Sequence, residues 1–271
     1  MTPRLFQGFP EMKEALIANR IQAGFIVAPM AMALRSQGVP IRIVYLGHRY
    51  GSSVVVRKDG PVRTPPDLAG RRIAIPNRFS DERLLVMRAM RQWHIDPARV
   101  KMVEMAPPDV PAALATGAID AFAMGEPFPS QAEMGGYGRV LFHAREYWPD
   151  YISCVLVVRQ DVIEQNPSAV QLLVDGVARS GLWLDESPTN REHAADFVTR
   201  FYFHQRPGLL EWALTRPLDR VRYSPLAPLR RDFELIQDMM IESGILERRM
   251  EFGEYVDERF AMKAAGAAWG Y

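Results

Sequence analysis

Residues 11–29, EMKEALIANRIQAGFIVAP, and residues 109–127, DVPAALATGAIDAFAMGEP, are two versions of one pattern at a constant offset of 98 positions. Ala15 matches Ala113, Leu16 matches Leu114, Ile21 matches Ile119, Ala23 matches Ala121 and Pro29 matches Pro127, while Glu11 and Asp109 keep the charge. Each copy reads as a short amphipathic helix, a tight turn, an apolar run and a proline. Asn19 and Gly117 fall at matching helix ends, where a residue tolerant of positive φ is wanted. Two related α/β halves point to two lobes facing a cleft, the usual place for a small ligand.

Around the two copies, helix and strand patterns alternate from residue 9 to about 160. A helix starts near Pro10, FIVA (25–28) reads as a strand, and MAMALRSQG reads as a helix ending at Gly38. IRIVYL (41–46) and SVVVRK (53–58) read as buried strands joined by a loop, GHRYGS. After the Pro-rich GPVRTPPDLAG comes the strand RRIAIP (71–76), then a helix from about Ser80 to Trp93. PSQAEMGG reads as a helix, RVLFH as a strand and ISCVLVVR (152–159) as an apolar strand. The alternation predicts a mainly parallel sheet. Beyond residue 160, VIEQNPSAVQLLVDGVARSGLWLDES, REHAADFVTRFYF, LLEWAL and PLRRDFELIQDMMIESGIL carry helical periodicity. No flexible linker is present, so the runs at 41–58 and 151–159 are expected to carry the chain between lobes. The expected division is 1–50 with 155–271 as one lobe and 51–154 as the other.

Composition removes several function classes. With 271 residues the chain can bury a full core. Its 33 basic and 32 acidic residues give a net charge of +1, which argues against a nucleic-acid surface. Cys154 is the only cysteine, so a disulfide framework and a multi-cysteine metal site are excluded; within SCVLVV it reads as a small buried hydrophobe. The five histidines show no metal-ligand spacing, and there is no G-x-S-x-G, P-loop or G-x-G-x-x-G. The chain is expected to use no catalytic residue, no cofactor and no metal. MTPRLFQGFPEM has no apolar h-region, and no stretch reaches the ~18 apolar residues of a membrane span.

The stretch TPPDLAGRRIAIPNRFSDERLL resembles the DL-x-G-K-x-I-A-V-P segment of type 2 periplasmic binding proteins. FIVAPMAMAL, YLGHRYGSSVVV, LATGAIDAFAMGEPFPSQA and GILERRMEFGEYVDERF narrow the resemblance to the nitrate/sulfonate/bicarbonate (taurine-like) class of ABC-importer solute-binding proteins. That resemblance implies an α/β, two-lobed type 2 periplasmic-binding-protein fold, with a ligand cleft between lobes and a helical C-terminal segment. It also implies a transient ABC permease partner in the membrane and a periplasmic or membrane-anchored extracytoplasmic location. Relative to that family, the chain is expected to lack the first strand and helix.

Candidate ligand-binding residues follow from local chemistry and from the resemblance together. NRFSD (77–81) links a strand to a helix N-terminus, whose free N–H groups favour anions; Arg78 adds charge and Ser80 a hydroxyl. Ser80 reads equally well as a plain N-cap. Glu126, in GEP, follows a strand end and suits an ammonium or amide group, or serves only the helix dipole; the resemblance implies that it lines the pocket. His48, Arg49 and Ser52, with Tyr50 and Ser53, form a polar loop that can meet an oxyanion or act as a solvated hinge. Ala28, Pro29 and Met30 mirror Gly125–Pro127 through the repeat, and Phe9 and Pro10 open the first repeated helix. Tyr147 and Trp148 are secondary candidates. The expected function is capture of a small polar solute by hinge closure for an ABC importer, without nucleic acid. The expected solute is nitrate-, sulfonate- or bicarbonate-like or a small organic nitrogen or sulfur compound; Arg78 and His48 lean anionic and Glu126 cationic, a pairing that an organic zwitterion or an anion with a metal would satisfy. The alternatives are a cytosolic sensor of the same fold controlling a regulator, and a thiamine-pyrimidine synthase-like enzyme, which the lone cysteine disfavours.

Overall fold

A computed structural model describes residues 2–202 and 206–268. The chain runs through α1 (Phe9–Ile17), β1 (Ala23–Val27), α2 (Ala28–Ser36), β2 (Ile41–Tyr50), β3 (Ser52–Arg57), β4 (Arg72–Ile75), α3 (Asp81–Gln92) and β5 (Lys101–Glu104). It continues with α4 (Val110–Thr116), β6 (Ala121–Gly125), α5 (Phe128–Met134), β7 (Gly138–His143), α6 (Ala144–Tyr147) and β8 (Ile152–Arg159). The remainder is mostly helical: α7 (Gln160–Gln165), α8 (Pro167–Glu186), α9 (Pro188–Phe201), α10 (Leu209–Thr215), β9 (Val221–Arg222), α11 (Arg230–Glu242), α12 (Phe252–Tyr255) and α13 (Arg259–Ala268). Phe203, the last residue of the expected helix REHAADFVTRFYF, lies outside the described residues.

The residues cluster into two compact units. A middle unit comprises Met1–Gly8, Tyr50–Tyr151 and Arg191–Val221. A flanking unit comprises Phe9–Arg49, Ile152–Asn190 and Arg222–Tyr271. The chain passes between the units at 8/9, 49/50, 151/152, 190/191 and 221/222. Arg191–Val221 clusters with Tyr50–Tyr151, a grouping that local sequence pattern does not reveal.

In the flanking unit a four-stranded sheet has the order β1-β8-β2-β9. Both β1 and β2 run antiparallel to β8. The expectation of a mainly parallel sheet therefore fails here. Helix–strand alternation does not encode direction, and β8 enters this sheet only after the long excursion through the middle unit. In the middle unit the order is β5-β4-β6-β3-β7, with β5, β4 and β6 parallel and β3 antiparallel to both β6 and β7. Its core joins Val55, Ala74, Val110, Leu114, Ile119, Phe122, Met124 and Ala132. Five of these eight belong to the second repeat copy, and each large apolar side chain so enclosed contributes roughly 1.5–3 kcal/mol.

The repeat is real at the backbone level. Leu16 and Leu114 are both fully buried, and Asn19 (φ 55°) and Gly117 (φ 76°) both turn the chain through the left-handed region after their helices. GHRYGS, expected as a loop, is mostly strand: β2 continues to Tyr50, with register shifts on both sides of His48. The reversal falls on Tyr50 (φ 63°) and Gly51 (φ 81°). β-Bulges let the strand bend without ending, which a propensity reading of Gly47 and Gly51 takes for a loop. Cys154, expected to be enclosed, is half-buried on β8 opposite His48.

Candidate functional site

In the middle unit, β4 and β6 run parallel and their C-terminal ends lead into Asn77 and Glu126. β3 enters the same edge from the opposite direction, with Ser52 directly across from Gly125. Ligands of open α/β sheets bind outside the carboxyl ends of the strands, so this edge is where chemistry is expected. Four sequence candidates belong to it or to its connecting turns: Ser52, Arg78, Ser80 and Glu126.

The turn from β4 into α3 is organised by its own side chains. Asn77 Oδ1 accepts the Phe79 N–H at 2.8 Å, and the Ser80 N–H donates to the Asn77 carbonyl at 3.2 Å. Ser80 is the N-cap of α3, its Oγ accepting the Arg83 N–H at 3.2 Å. Ser80 is fully buried and its hydroxyl also bonds Glu82, so the capping and site readings coexist in one residue. Arg78 is exposed, with its guanidinium 4.7 Å from the Phe79 ring centroid.

Glu82 is the residue that local reading misses. It is 3% exposed, and its Oε1 accepts from Ser52 Oγ at 3.0 Å. Its Oε2 and the Nδ2 of Asn77 are buried without a hydrogen-bond partner. Burial pushes the Glu82 carboxyl up, against the pull of its own N–H and the hydroxyls of Ser52 and Ser80. A signal did exist in the sequence: Glu82, Val86 and Ala89 share one helical face, and all are buried.

Glu126 sits beside a second polar centre. Arg220 Nη1 donates to Glu126 Oε1 at 2.7 Å and to Ser130 Oγ at 2.9 Å, while its Nη2 donates to Glu133 Oε2 at 2.7 Å. The Ser130 N–H donates to Glu126 Oε2 at 3.2 Å. Burial alone lowers the Arg220 pKa, but Glu126 and Glu133 outweigh it and the guanidinium is held above its ordinary value. Close by on β3, Ser53 Oγ and His143 Nδ1 are 2.9 Å apart. Burial, then the charges of Arg220 and Arg145, hold His143 below the usual histidine range, in its neutral form.

The flanking unit holds the other six candidates. Arg49 is 4% exposed and its Nη2 donates to Asp232 Oδ2 at 2.7 Å, so its charge is matched inside the unit. The His48 ring lies 6.2 Å from the Tyr223 ring. Ala28 and Met30 are buried in the first turn of α2. Phe9 is half-buried and Pro10 exposed at the start of α1. A cavity of about 460 Å³ between α8 and α13, lined by Pro167, Gln171, Leu172, Arg259, Phe260 and Lys263 among others, includes none of the candidates. Among the described residues no cluster of His, Cys, Asp or Glu could hold a metal, and no helix is long and apolar enough to cross a membrane.

Known proteins share both sequence and fold with this chain. The taurine-binding periplasmic protein of Escherichia coli K12 is 29% identical over 194 residues, covering 68% of this chain and 59% of that protein. The nitrate/nitrite-binding protein NrtA of a Nostoc strain is 29% identical over 120 residues, 42% of this chain and 27% of that protein. The matches thus span less than two thirds of these relatives. Among solved structures, the zinc-bound ligand-binding component of an ABC-type import system from Staphylococcus aureus aligns with a TM-score of 0.85 at 24% identity, over 96% of this chain and 86% of that one. The desulfurization enzyme DSZB shares the fold at a TM-score of 0.66 and 16% identity, over 91% of this chain and 85% of that one. The model of the NMT1-like family matches residues 1–199, and the chain belongs to that family.

Proposed function

We propose that this NMT1-like chain is the solute-capturing component of an ABC importer, and that its solute is a small oxygen-rich polar molecule of the sulfonate, nitrate or bicarbonate kind. The observation that carries the reading is the taurine-binding relative, aligned over 68% of the chain. The polar edge of the middle unit supports it, because the N-terminus of α3 and the hydroxyls of Ser52 and Ser80 converge there. Glu126 no longer demands a cationic solute, since Arg220 matches its charge.

Binding of this kind works by hinge closure, in which the solute favours the closed state by its differential affinity. The role is non-enzymatic, extracytoplasmic and dependent on a membrane permease that receives the solute. Ser52, Arg78, Ser80 and Glu126 are the residues of the middle unit proposed for the site. In the flanking unit, Phe9, Pro10, Ala28, Met30, His48 and Arg49 are proposed as solute-binding residues in their own right, Arg49 by fixing backbone rather than by a free charge.

The test is a thermal-shift screen with nitrate, nitrite, bicarbonate, alkanesulfonates, taurine and aminopyrimidines. A solute at 100 times its dissociation constant adds about 2.7 kcal/mol to the folded state. A shift confined to one oxyanion class supports the reading. Cooperative melting that no compound moves rejects it.

A further inference from the structure

We propose that Glu82 is the solute-recognition acid of the middle unit: it keeps its proton and, together with Asn77, donates hydrogen bonds to an oxyanion oxygen of the captured solute. The inference rests on the receptor reading above and deepens it, by naming how the anion is read and why capture depends on pH.

The starting point is an imbalance of donors and acceptors. Glu82 is 3% exposed; its Oε1 accepts from Ser52 Oγ at 3.0 Å, its own N–H and the Ser80 hydroxyl also act on the carboxyl, and Oε2 has no hydrogen-bond partner. Asn77 is also 3% exposed; its Oδ1 is taken by the Phe79 N–H while Nδ2 has no acceptor. Buried polar atoms are paired in the great majority of folded proteins, so two orphans on one short turn ask for a missing partner. A neutral carboxylic acid with a satisfied carbonyl oxygen offers one O–H, and the carboxamide offers N–H. Both orphans are then donors, and the partner they lack is an acceptor.

Position and field agree. Glu82 and Asn77 flank the N-terminus of α3, a helix of 12 residues whose dipole favours negative charge at that end. Ser52 faces Gly125 across the β3–β6 ladder, and a Cβ at 125 would stand 3.7 Å from Ser52 Oγ and 3.9 Å from Glu82 Oε1. Burial favours the protonated form of Glu82, and the groups that oppose it are its own N–H, Ser52 and Ser80, all uncharged. The charged and titratable residues around it include Arg78 before α3, Asp81, Arg83, Arg88 and Arg91 on α3, Glu104 on β5, Glu126 after β6, and His143 beside Ser53. Arg83 interacts with Glu104, and Glu126 is held by Arg220. None of these is among the groups that shift Glu82. A neutral acid accepts an oxyanion beside it without like-charge repulsion; an ionised one does not.

The proposal is tested by calorimetric titration of the full chain with nitrate, bicarbonate, taurine and 1-propanesulfonate, using wild type, Glu82→Gln and Glu82→Leu. Gln keeps a donor where the protonated acid has one, whereas Leu has none. At about pH 5 the Gln variant is expected to match wild type and the Leu variant to bind at least about tenfold more weakly. As pH rises through the Glu82 pKa, wild-type affinity falls by about tenfold per unit while the Gln variant stays flat. A Leu variant as tight as wild type overturns the proposal, and so does a Gln variant as weak as Leu. Identical pH profiles for wild type and Gln overturn it as well. Binding by wild type with any of those results leaves the receptor reading standing; absence of binding by wild type removes both. Should the Leu variant fail to fold, a crystal structure of wild type with the bound anion decides. Oε2 within hydrogen-bond distance of the anion supports the assignment, and an ordered water as its sole partner overturns it.

Discussion

Arg220 Nη1 lies 2.7 Å from Glu126 Oε1, joining residues 94 positions apart in the chain. The contact ties the segment after α10 to the end of β6, and the Gly51 N–H donating to the Arg220 carbonyl at 2.8 Å ties it to the start of β3. The guanidinium also holds Glu133, so one cation serves two acids with side chains 10% and 24% exposed. The acid at the end of β6 is therefore paired with a cation of its own unit.

Arg220→Met leaves Glu126 and Glu133 without their cation in a buried setting. Removing one partner of such a pair costs about 3–5 kcal/mol, and the loss is expected as a lower melting temperature. Arg220→Lys should fall between wild type and Met, because a point charge cannot reach both acids as a fork does. A Met variant that melts with wild type contradicts the assignment of Arg220 as the brace of this segment.

Glu82 makes the stability of the middle unit depend on pH in a defined direction. Its folded pKa is raised by burial, so the native state binds the proton more tightly than the unfolded chain. Stability is fully present below the unfolded pKa and declines as pH rises through the folded one. Glu82→Gln is expected to remove that decline, melting above wild type at alkaline pH and close to it in acid. Parallel melting curves across the range would contradict the raised pKa.

Arg49 and Asp232 form a second buried pair, 2.7 Å apart with side chains 4% and 7% exposed. Arg49→Met and Asp232→Leu should each cost about 3–5 kcal/mol, and the double variant clearly less than their sum. Strict additivity in chemical denaturation would mean that the two charges do not interact.

The repeated helix ends respond to substitution according to backbone angle. Gly117→Ala places a Cβ at φ 76° and 2.9 Å from Arg57 Nη1, and should cost about 1 kcal/mol or more. Asn19→Gly, at φ 55°, should stay within about 0.5 kcal/mol of neutral. The opposite order would contradict the shared turn geometry.

These residues also mark how far the chain could be read before its structure was seen. The repeat, the positive-φ helix ends, α3 with its Ser80 cap and the strands at 41–46, 53–58, 71–76 and 152–159 are written in local periodicity and punctuation. Strand direction is not, because it depends on the route taken between strands; hence β8 came out antiparallel to both neighbours. Arg220 was illegible for the same reason, being an isolated arginine whose meaning lies 94 residues away. Glu82 was legible in principle through its helical face, but an acid in the first turn of a helix normally serves the dipole in water. The partner of Arg49 was equally illegible, because Asp232 on α11, which takes up its charge, lies 183 residues away.

The measurement that bears most directly on the account is calorimetric titration of the purified chain with the best oxyanion of the thermal screen, at one acidic and one alkaline pH. The account predicts saturable binding with one solute per chain, tighter in acid. Heats no larger than dilution for every sulfonate, nitrate and bicarbonate, with a chain that melts cooperatively, would contradict it.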